Sequence, residues 1–302
     1  MTMWPALPFE KWRPTRETLH MWMQMVGKTR LALAPMQNHW WHVVFYMTAR
    51  GLTTSPMPVA GGAVELEFDL LDHRLIARRS DGALREVPLR PRAVADFYRE
   101  YLDLLASVGV AVKLWPVPVE ADHQIPFPDD RVHASYDAGQ ATAFFRTLEH
   151  ADRILKRFQG RFLGKSSPVH FFWGVLDLAL TRFNGRRITD HKEGEWSVLR
   201  EAASHEEISF GFWPGGGAVS EPAFYAYVRP EPAALPATRL PVASAYYSRE
   251  IANFILPYEA VRSAPEPDTL VLGFLQSAYA VAADLRGWDR ASLDRPPEEW
   301  PR

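Results

Sequence analysis

Residues 38–51 read NHWWHVVFYMTARG, two histidines around paired tryptophans, followed by an apolar run that closes on Arg50 and Gly51. Side chains of a β-strand alternate between its faces. On a regular strand His39, Trp41, Val43, Phe45 and Met47 would share one face, and Trp40, His42, Val44, Tyr46, Thr48 and Arg50 the other. The first face is the more apolar and is expected to meet helices. His39 and His42 are three apart and then point to opposite sides, so HWWH on a regular strand is not a chelating pair.

Working outward, apolar residues recur at helical spacing before this stretch and after it. A first helix follows Pro14 and Thr15 with Leu19, Trp22, Met23, Val26 and Leu33 on one side, and Pro35 stops it. Strands are expected at 64–70, 74–80 and 84–89, the last two joined by the turn dipeptide Asp81-Gly82. A second helix starts near Pro91 and uses Val94, Phe97, Tyr98, Tyr101 and Leu105 before Gly109. The third follows Asp137 with Phe144, Phe145, Leu148, Leu155 and Phe158. Strands then recur at 170–183, 205–213, 224–229 and, more weakly, 254–256, before a fourth helix that follows Asp268 and ends near Gly287. Each half reads helix, long strand, meander, helix. That order predicts an α+β fold, antiparallel sheet packed against about four helices, rather than parallel βαβ units.

The stretch VHFFWGVLDLALTRFNG at 169–185 has His, two aromatics, an apolar run, Arg and Gly in the same order as 38–51. Internal duplication explains the likeness, and so does the shared chemistry of buried strands. The expected organisation is an N-terminal half at 1–115, a Pro-rich linker at 116–136 and a C-terminal half at 137–302, together forming one compact unit. The charged stretch at 185–207 and the Pro/Ala-rich stretch at 229–245 read as surface insertions.

Composition narrows the function. The 302 residues are 47% apolar and 23% charged, as in a soluble globular protein. A net charge of −2 supplies no basic field for a nucleic acid, and none is expected as a partner. Cysteine is absent, which excludes disulfides, thiolate catalysis and Cys-ligated zinc. The N-terminus lacks the pattern of a signal peptide, and no apolar run approaches the roughly 18 to 20 residues of a membrane span. The expectation is a cytoplasmic protein without a membrane partner.

The runs WPALPFEKW, NHWWH, RGLTTSP, SPVHFFWG, FGFWPGGG and EPAFYAY resemble a bacterial family known only as domain of unknown function 5996. The resemblance covers almost the whole chain and implies one unit spanning both halves. It brings no activity, cofactor or catalytic residue with it.

Candidate site residues come from sorting the strands by face. In 170–183, taken as one strand, Asp177 is the odd residue in an apolar run and joins Phe171, Trp173, Val175, Ala179 and Thr181. A buried carboxylate without a partner costs several kcal/mol, so Asp177 is expected to find a donor or to border a wet pocket. His205, Glu207, Ser209 and Trp213 share a face of the next strand, and Tyr225, Tyr227 and Arg229 one of the strand after. Aromatic rings with a few His, carboxylate and Arg groups suit a pocket for a partly apolar small molecule. His42, Asp177, His205 and Glu207 are the catalytic candidates. Trp40, Tyr46, Arg50, Trp173, Trp213, Gly215, Gly216, Tyr225, Tyr227 and Arg229 are the candidates for holding a ligand.

His42, His205 and Glu207 form a metal-ligand set for a divalent ion, although no HExxH spacing requires one. Gly215, Gly216 and Gly217 read first as a hairpin turn and second as a pocket rim, since neither a P-loop ending nor a GxSxG elbow is present. Glu65, Glu67 and Asp69, alternating with apolar residues and facing Arg74, Arg78 and Arg85, read as a solvated face with cross-strand charge pairs. Three functions stay open: a small-molecule enzyme, a binding protein that stacks its ligand on aromatics, and an oligomeric interaction protein.

Overall fold

The computed structural model describes residues 4–121, 123–189 and 197–300. The first sheet contains β1 (Tyr46–Met47), β2 (Gly51–Thr53), β3 (Met57–Val59), β4 (Gly62–Asp69), β5 (Arg74–Arg79) and β6 (Leu84–Pro88). Its order is β1-β2-β4-β5-β6, with β3 on β4, and every pairing is antiparallel. The second sheet contains β7 (His170–Phe172), β8 (Asp177–Arg187), β9 (His205–Trp213), β10 (Ala223–Arg229), β11 (Tyr246–Ser248) and β12 (Asn253–Pro257). Its order is β11-β12-β10-β9-β8-β7, again antiparallel throughout. The helices are α1 (Phe9–Leu33), α2 (Val94–Ser107), α3 (Ala138–Gln159), α4 (Ser197–Ala202), α5 (Tyr258–Arg262), α6 (Pro267–Leu285) and α7 (Arg290–Leu293). The fold is α+β, as the sequence predicts. Among the described residues no helix is long and apolar enough to cross a membrane.

Local chemistry explains the helix ends. Asp137 caps α3, its Oδ1 accepting the Gln140 N–H at 2.9 Å. α1 begins about two turns earlier than expected, at Phe9, and carries Pro14 inside. Proline there, past the first turn, lacks the N–H that would bond the Glu10 carbonyl, so the helix runs with one hydrogen bond fewer.

One apolar cluster runs through both sheets and α1, α2, α3 and α6. On the core face of the second sheet Leu178, Leu180, Phe210, Phe212, Phe224 and Leu256 are fully buried beneath α3 and α6. On α1, Trp12 stacks on Phe144 at 4.8 Å and Trp22 on Phe97 at 4.4 Å, tying it to α3 and α2. Each such ring removes roughly 150–250 Å² from water, about 4 to 6 kcal/mol apiece at about 25 cal/mol per Å².

Both long strands are shorter than expected. His39 and Trp40 have positive φ, 56° and 60°, so HWWH is a tight turn and the strand proper is only β1. His39 and Trp41 do share a side, their rings stacked at 5.1 Å, and both lie on Phe183 of the second sheet. The second long strand is a hairpin, β7 and β8 joined through residues 173–176, with Leu176 at φ 63°. Its register pairs His170 with Ala179 and Phe172 with Asp177. His170 and Phe172 therefore join the face of Asp177, while Phe171 turns to the core with Leu178. The two sheets meet where Phe45 and Phe171 exchange backbone hydrogen bonds, 2.8 Å in each direction.

The acidic alternation on β4 is also less solvated than expected. Glu67 and Asp69 are buried, Glu67 receiving Arg78 and the Thr48 hydroxyl, Asp69 receiving Arg50. The middle of the 185–207 insertion, residues 190–196, lies outside the described residues.

Candidate functional site

The site is built where one end of the second sheet meets α1. Four polar side chains on α1, Arg16, His20, Gln24 and Lys28, are spaced by four and form a buried stripe along the helix. Each clamps a piece of irregular chain. The Lys28 ammonium donates to the Val117 carbonyl at 2.8 Å, and Gln24 bonds both the N–H and the carbonyl of Val119. His20 Nε2 lies 2.8 Å from the Gly174 carbonyl oxygen in the β7–β8 turn. The Arg16 guanidinium rests on the glycine loop after β9, where a Cβ on Gly216 would come within 2.8 Å of Nη2. Burial, with the charge of Arg16 second, pushes His20 down to about 3, so it stays neutral.

Asp177 opens β8 at this end, 8% exposed. Its Oδ2 accepts the Tyr225 hydroxyl at 2.5 Å. Tyr225 belongs to β10, and β9 lies between, so the ring must cross a strand to reach the carboxyl. It crosses at Gly211, where a Cβ would sit 2.5 Å from the Tyr225 Oη and 2.6 Å from its Cζ. The absent side chain on Gly211 is what permits the bond. Burial lifts Asp177 to about 7 against the pull of the Tyr225 hydrogen bond, and the charge of Glu120 adds to the lift. Glu120 stands at the exposed rim against Gly174, where a Cβ would lie 2.0 Å from its Oε2. Burial, and then the charge of Asp177, raise the Tyr225 phenol well above its ordinary range, so it remains a donor.

Tyr227 crosses β9 in the same sense. Its ring stacks parallel to that of Tyr225 at 6.1 Å, its hydroxyl bonds Ser209, and the Ser209 Oγ lies 2.9 Å from the Thr181 Oγ1. Trp213, half-buried, packs with Ala223 and Tyr225, and its indole Nε1 has no hydrogen-bond partner among the described residues. The arrangement holds a carboxyl that is half-protonated near neutral pH beside a phenol donor and a free indole donor. Such a group serves as acid or as base.

The four residues expected to act together fall in three places. Glu207 faces Phe183 and Arg229 at the far end of the strands, six residues from Asp177 along β8, about 20 Å at a strand's rise. Burial raises it to about 8, against the charge of Arg229. His205 is with His39, ring centroids 5.7 Å apart, and the Ser204 hydroxyl. His42 lies with Trp40, at 5.3 Å, and receives the Gln37 N–H. Among the described residues no group of three or more His, Asp or Glu side chains is placed to hold a metal ion, which overturns the set His42, His205 and Glu207.

Of the ligand candidates, the structure brings Trp173, Trp213, Gly215, Gly216, Tyr225 and Tyr227 to the Asp177 end. Trp173 has its Nε1 bound to the Val43 carbonyl at 2.7 Å and packs on Gly27, so it braces the fold. The glycine loop is a hairpin turn between β9 and β10, closed by the Gly216 N–H on the Ser220 carbonyl. Arg50 lies on the first sheet, paired with Asp69 at 2.6 Å and Asp72 at 2.7 Å. Arg229 is at the Glu207 end, and Trp40 and Tyr46 are near His42 and Arg30.

Sequence reasoning missed the α1 stripe, although its four-residue spacing was there to be read. It also missed Asp130 and His133. The wholly buried Asp130 takes the His133 Nδ1 at 2.6 Å and the backbone N–H groups of Val132 and His133 at 3.0 Å each. That bond orients the imidazole.

Two six-stranded antiparallel sheets sharing one apolar cluster with the main helices, with a carboxyl–phenol pair bound across a glycine, define an α+β protein with a buried polar site. The chain belongs to DUF5996, a family of unknown function, which it matches over residues 4–295. No curated protein and no solved structure matches it.

Proposed function

We propose that this is a cytoplasmic small-molecule enzyme that performs proton-transfer chemistry, with Asp177 as the acid–base group. The observation that carries the reading is Asp177 itself. Its proton affinity is lifted to about 7, its position is fixed by Tyr225 across Gly211, and 8% of it remains in reach of solvent. A group tuned to the working pH exchanges protons fastest in both directions. Tyr225 holds the carboxyl in place and disperses the charge formed when it loses its proton. The indole Nε1 of Trp213 supplies a donor for an acceptor atom of the ligand, and the rings of Trp213 and Tyr227 suit a planar body. The same rings support the second reading, a binding protein in which Asp177 only orients the ligand.

The test is a thermal-shift screen of small planar heterocycles at pH 7 on wild type, Asp177→Asn, Tyr225→Phe and Trp213→Phe. The enzyme reading expects a stabilising compound to lose its effect in Asp177→Asn, and the same compound, or a close analogue, to be converted by wild type alone. Binding with equal strength in all four proteins would refute the site. Binding lost without conversion by wild type would favour the second reading.

A further inference from the structure

An unmatched positive charge stands where the chain leaving α3 meets the C-terminal segment. Arg161 follows Gly160, the cap residue of α3. Its stretch is tied to that segment by the Leu163 N–H on the Leu293 carbonyl at 2.7 Å and the Arg295 N–H on the Arg161 carbonyl at 3.0 Å. The Arg161 guanidinium lies over Trp300, Cζ 4.0 Å from the ring centroid. That ring is itself fixed, its indole N–H donating to the Arg295 carbonyl at 2.8 Å. Among the described residues neither a carboxylate nor any hydrogen-bond acceptor meets the Arg161 guanidinium. The carboxylates nearby are taken. Arg290 holds Asp284 at 3.0 Å and Asp294 at 3.1 Å, and Arg295 holds Glu299 at 3.3 Å. The Tyr279 hydroxyl donates to Asp294 as well, at 2.5 Å. A further guanidinium lies close by, that of Arg182, wholly buried against the rings of Phe158, Phe162 and Tyr279 and without a carboxylate partner among the described residues. The partial negative charge at the end of α3 offsets only part of this excess.

The free guanidinium opens on a cleft. Arg161, Arg290, Arg295 and Trp300 all line one cavity of about 630 Å³, within the range of small-molecule sites. Ala280, Pro296 and Pro297 give it an apolar wall, and Gln276, also in the lining, has an Oε1 without a hydrogen-bond partner. An arginine held on an aromatic face keeps the edge of its fork open, and that edge matches the two oxygens of a carboxylate. Asp294, in the same lining, disfavours a dianion.

We propose that this cleft binds a small aromatic acid, its carboxylate on the Nη groups of Arg161 and its ring against Pro296 and Pro297. Arg161 needs one anion and has none, and the cleft that it lines has room and apolar surface for the rest of such a molecule. The site lies with α6, which covers the face of the second sheet opposite to Asp177, and it stands independently of the Asp177 reading.

The experiment uses the full chain at pH 7 with sodium benzoate, benzamide and inorganic phosphate as separate probes, and chloride holding the ionic strength constant. In wild type the ¹H–¹⁵N signal of the Trp300 indole, assigned by its loss in Trp300→Phe, is expected to move saturably with benzoate, and Tm to rise with the same midpoint. Phosphate is expected to act only at a higher midpoint than benzoate, and benzamide, which has the shape without the charge, not at all. Arg161→Met is expected to fold, since no polar partner is lost, and to show no response to benzoate. Arg161→Lys keeps a charge over Trp300 without the fork and is expected to bind benzoate roughly tenfold more weakly. An unmoved Trp300 signal with benzoate at tens of millimolar, a benzamide response equal to that of benzoate, a phosphate midpoint at or below that of benzoate, or undiminished benzoate binding in either Arg161 variant would overturn the site.

Discussion

Replacing Asp177 by Asn removes one ionisable proton and keeps an oxygen in place to accept the Tyr225 hydroxyl. In the folded protein the carboxyl holds its proton up to about 7, whereas the unfolded chain releases it near 3.8. A raised carboxyl contributes stability that is complete below the unfolded value and is lost as pH rises through the folded one. Between those values the native state carries one more proton, so wild-type stability falls by about 1.4 kcal/mol per pH unit. From pH 5 to pH 8 that amounts to about 2.5 to 3 kcal/mol, levelling off above the folded value. Asp177→Asn has no such loss. Urea unfolding followed by circular dichroism at both pH values gives the wild-type-minus-variant difference, in which Glu207, His20 and His170 cancel because both proteins share them. A difference that changes by less than about 1 kcal/mol between the two pH values would show that burial does not hold the Asp177 proton, and the acid–base reading would go with it.

Gly211→Ala places a methyl group in the path of the Tyr225 ring and against the Leu178 carbonyl, 2.3 Å from its Cβ position. It is expected to cost about 1 to 3 kcal/mol in urea unfolding and to abolish the pH dependence tied to Asp177. Gly27→Ala would ordinarily stabilise a helix by about 1 kcal/mol. Here its Cβ meets Trp173 at 2.2 Å, so a net loss of stability is expected, with a changed near-ultraviolet tryptophan spectrum. Asp137→Ala removes the α3 cap and should cost about 1 kcal/mol, read as a lower Tm, with Asp137→Asn close to wild type.

The meanders were legible because their signals are local. Asp81-Gly82 marks its turn, and the alternation through 64–69 and 205–213 survives in β4 and β9. The long strands failed because their breaks carry no such mark. His39 and Trp40 take positive φ where His39 and Trp41 pack on Phe183, and the β7–β8 turn, WGVL, holds a single glycine and neither Pro nor Asn. That turn reversed a face assignment. His170 and Asp177 are seven apart and would oppose each other on one strand, yet they share a face in a hairpin. Asp177 was found as the odd residue in an apolar run, and Trp213 and Tyr225 were found by sorting their strands by face. Their bond across Gly211 was not, since it depends on three strands in register. The split of His42, His205 and Glu207 has the same origin, because a face sorts residues without saying how far along it they lie.

The paired hydrogen bonds of Phe45 and Phe171 bear on how the chain avoids sticking to itself. β1 and β7 would each present unpaired backbone groups beside large apolar side chains, a ready template for another copy. Each shields the other. A chain cut within 116–136 would free both at once, so either piece made alone is expected to aggregate, while the two made together have each other's edge to bind.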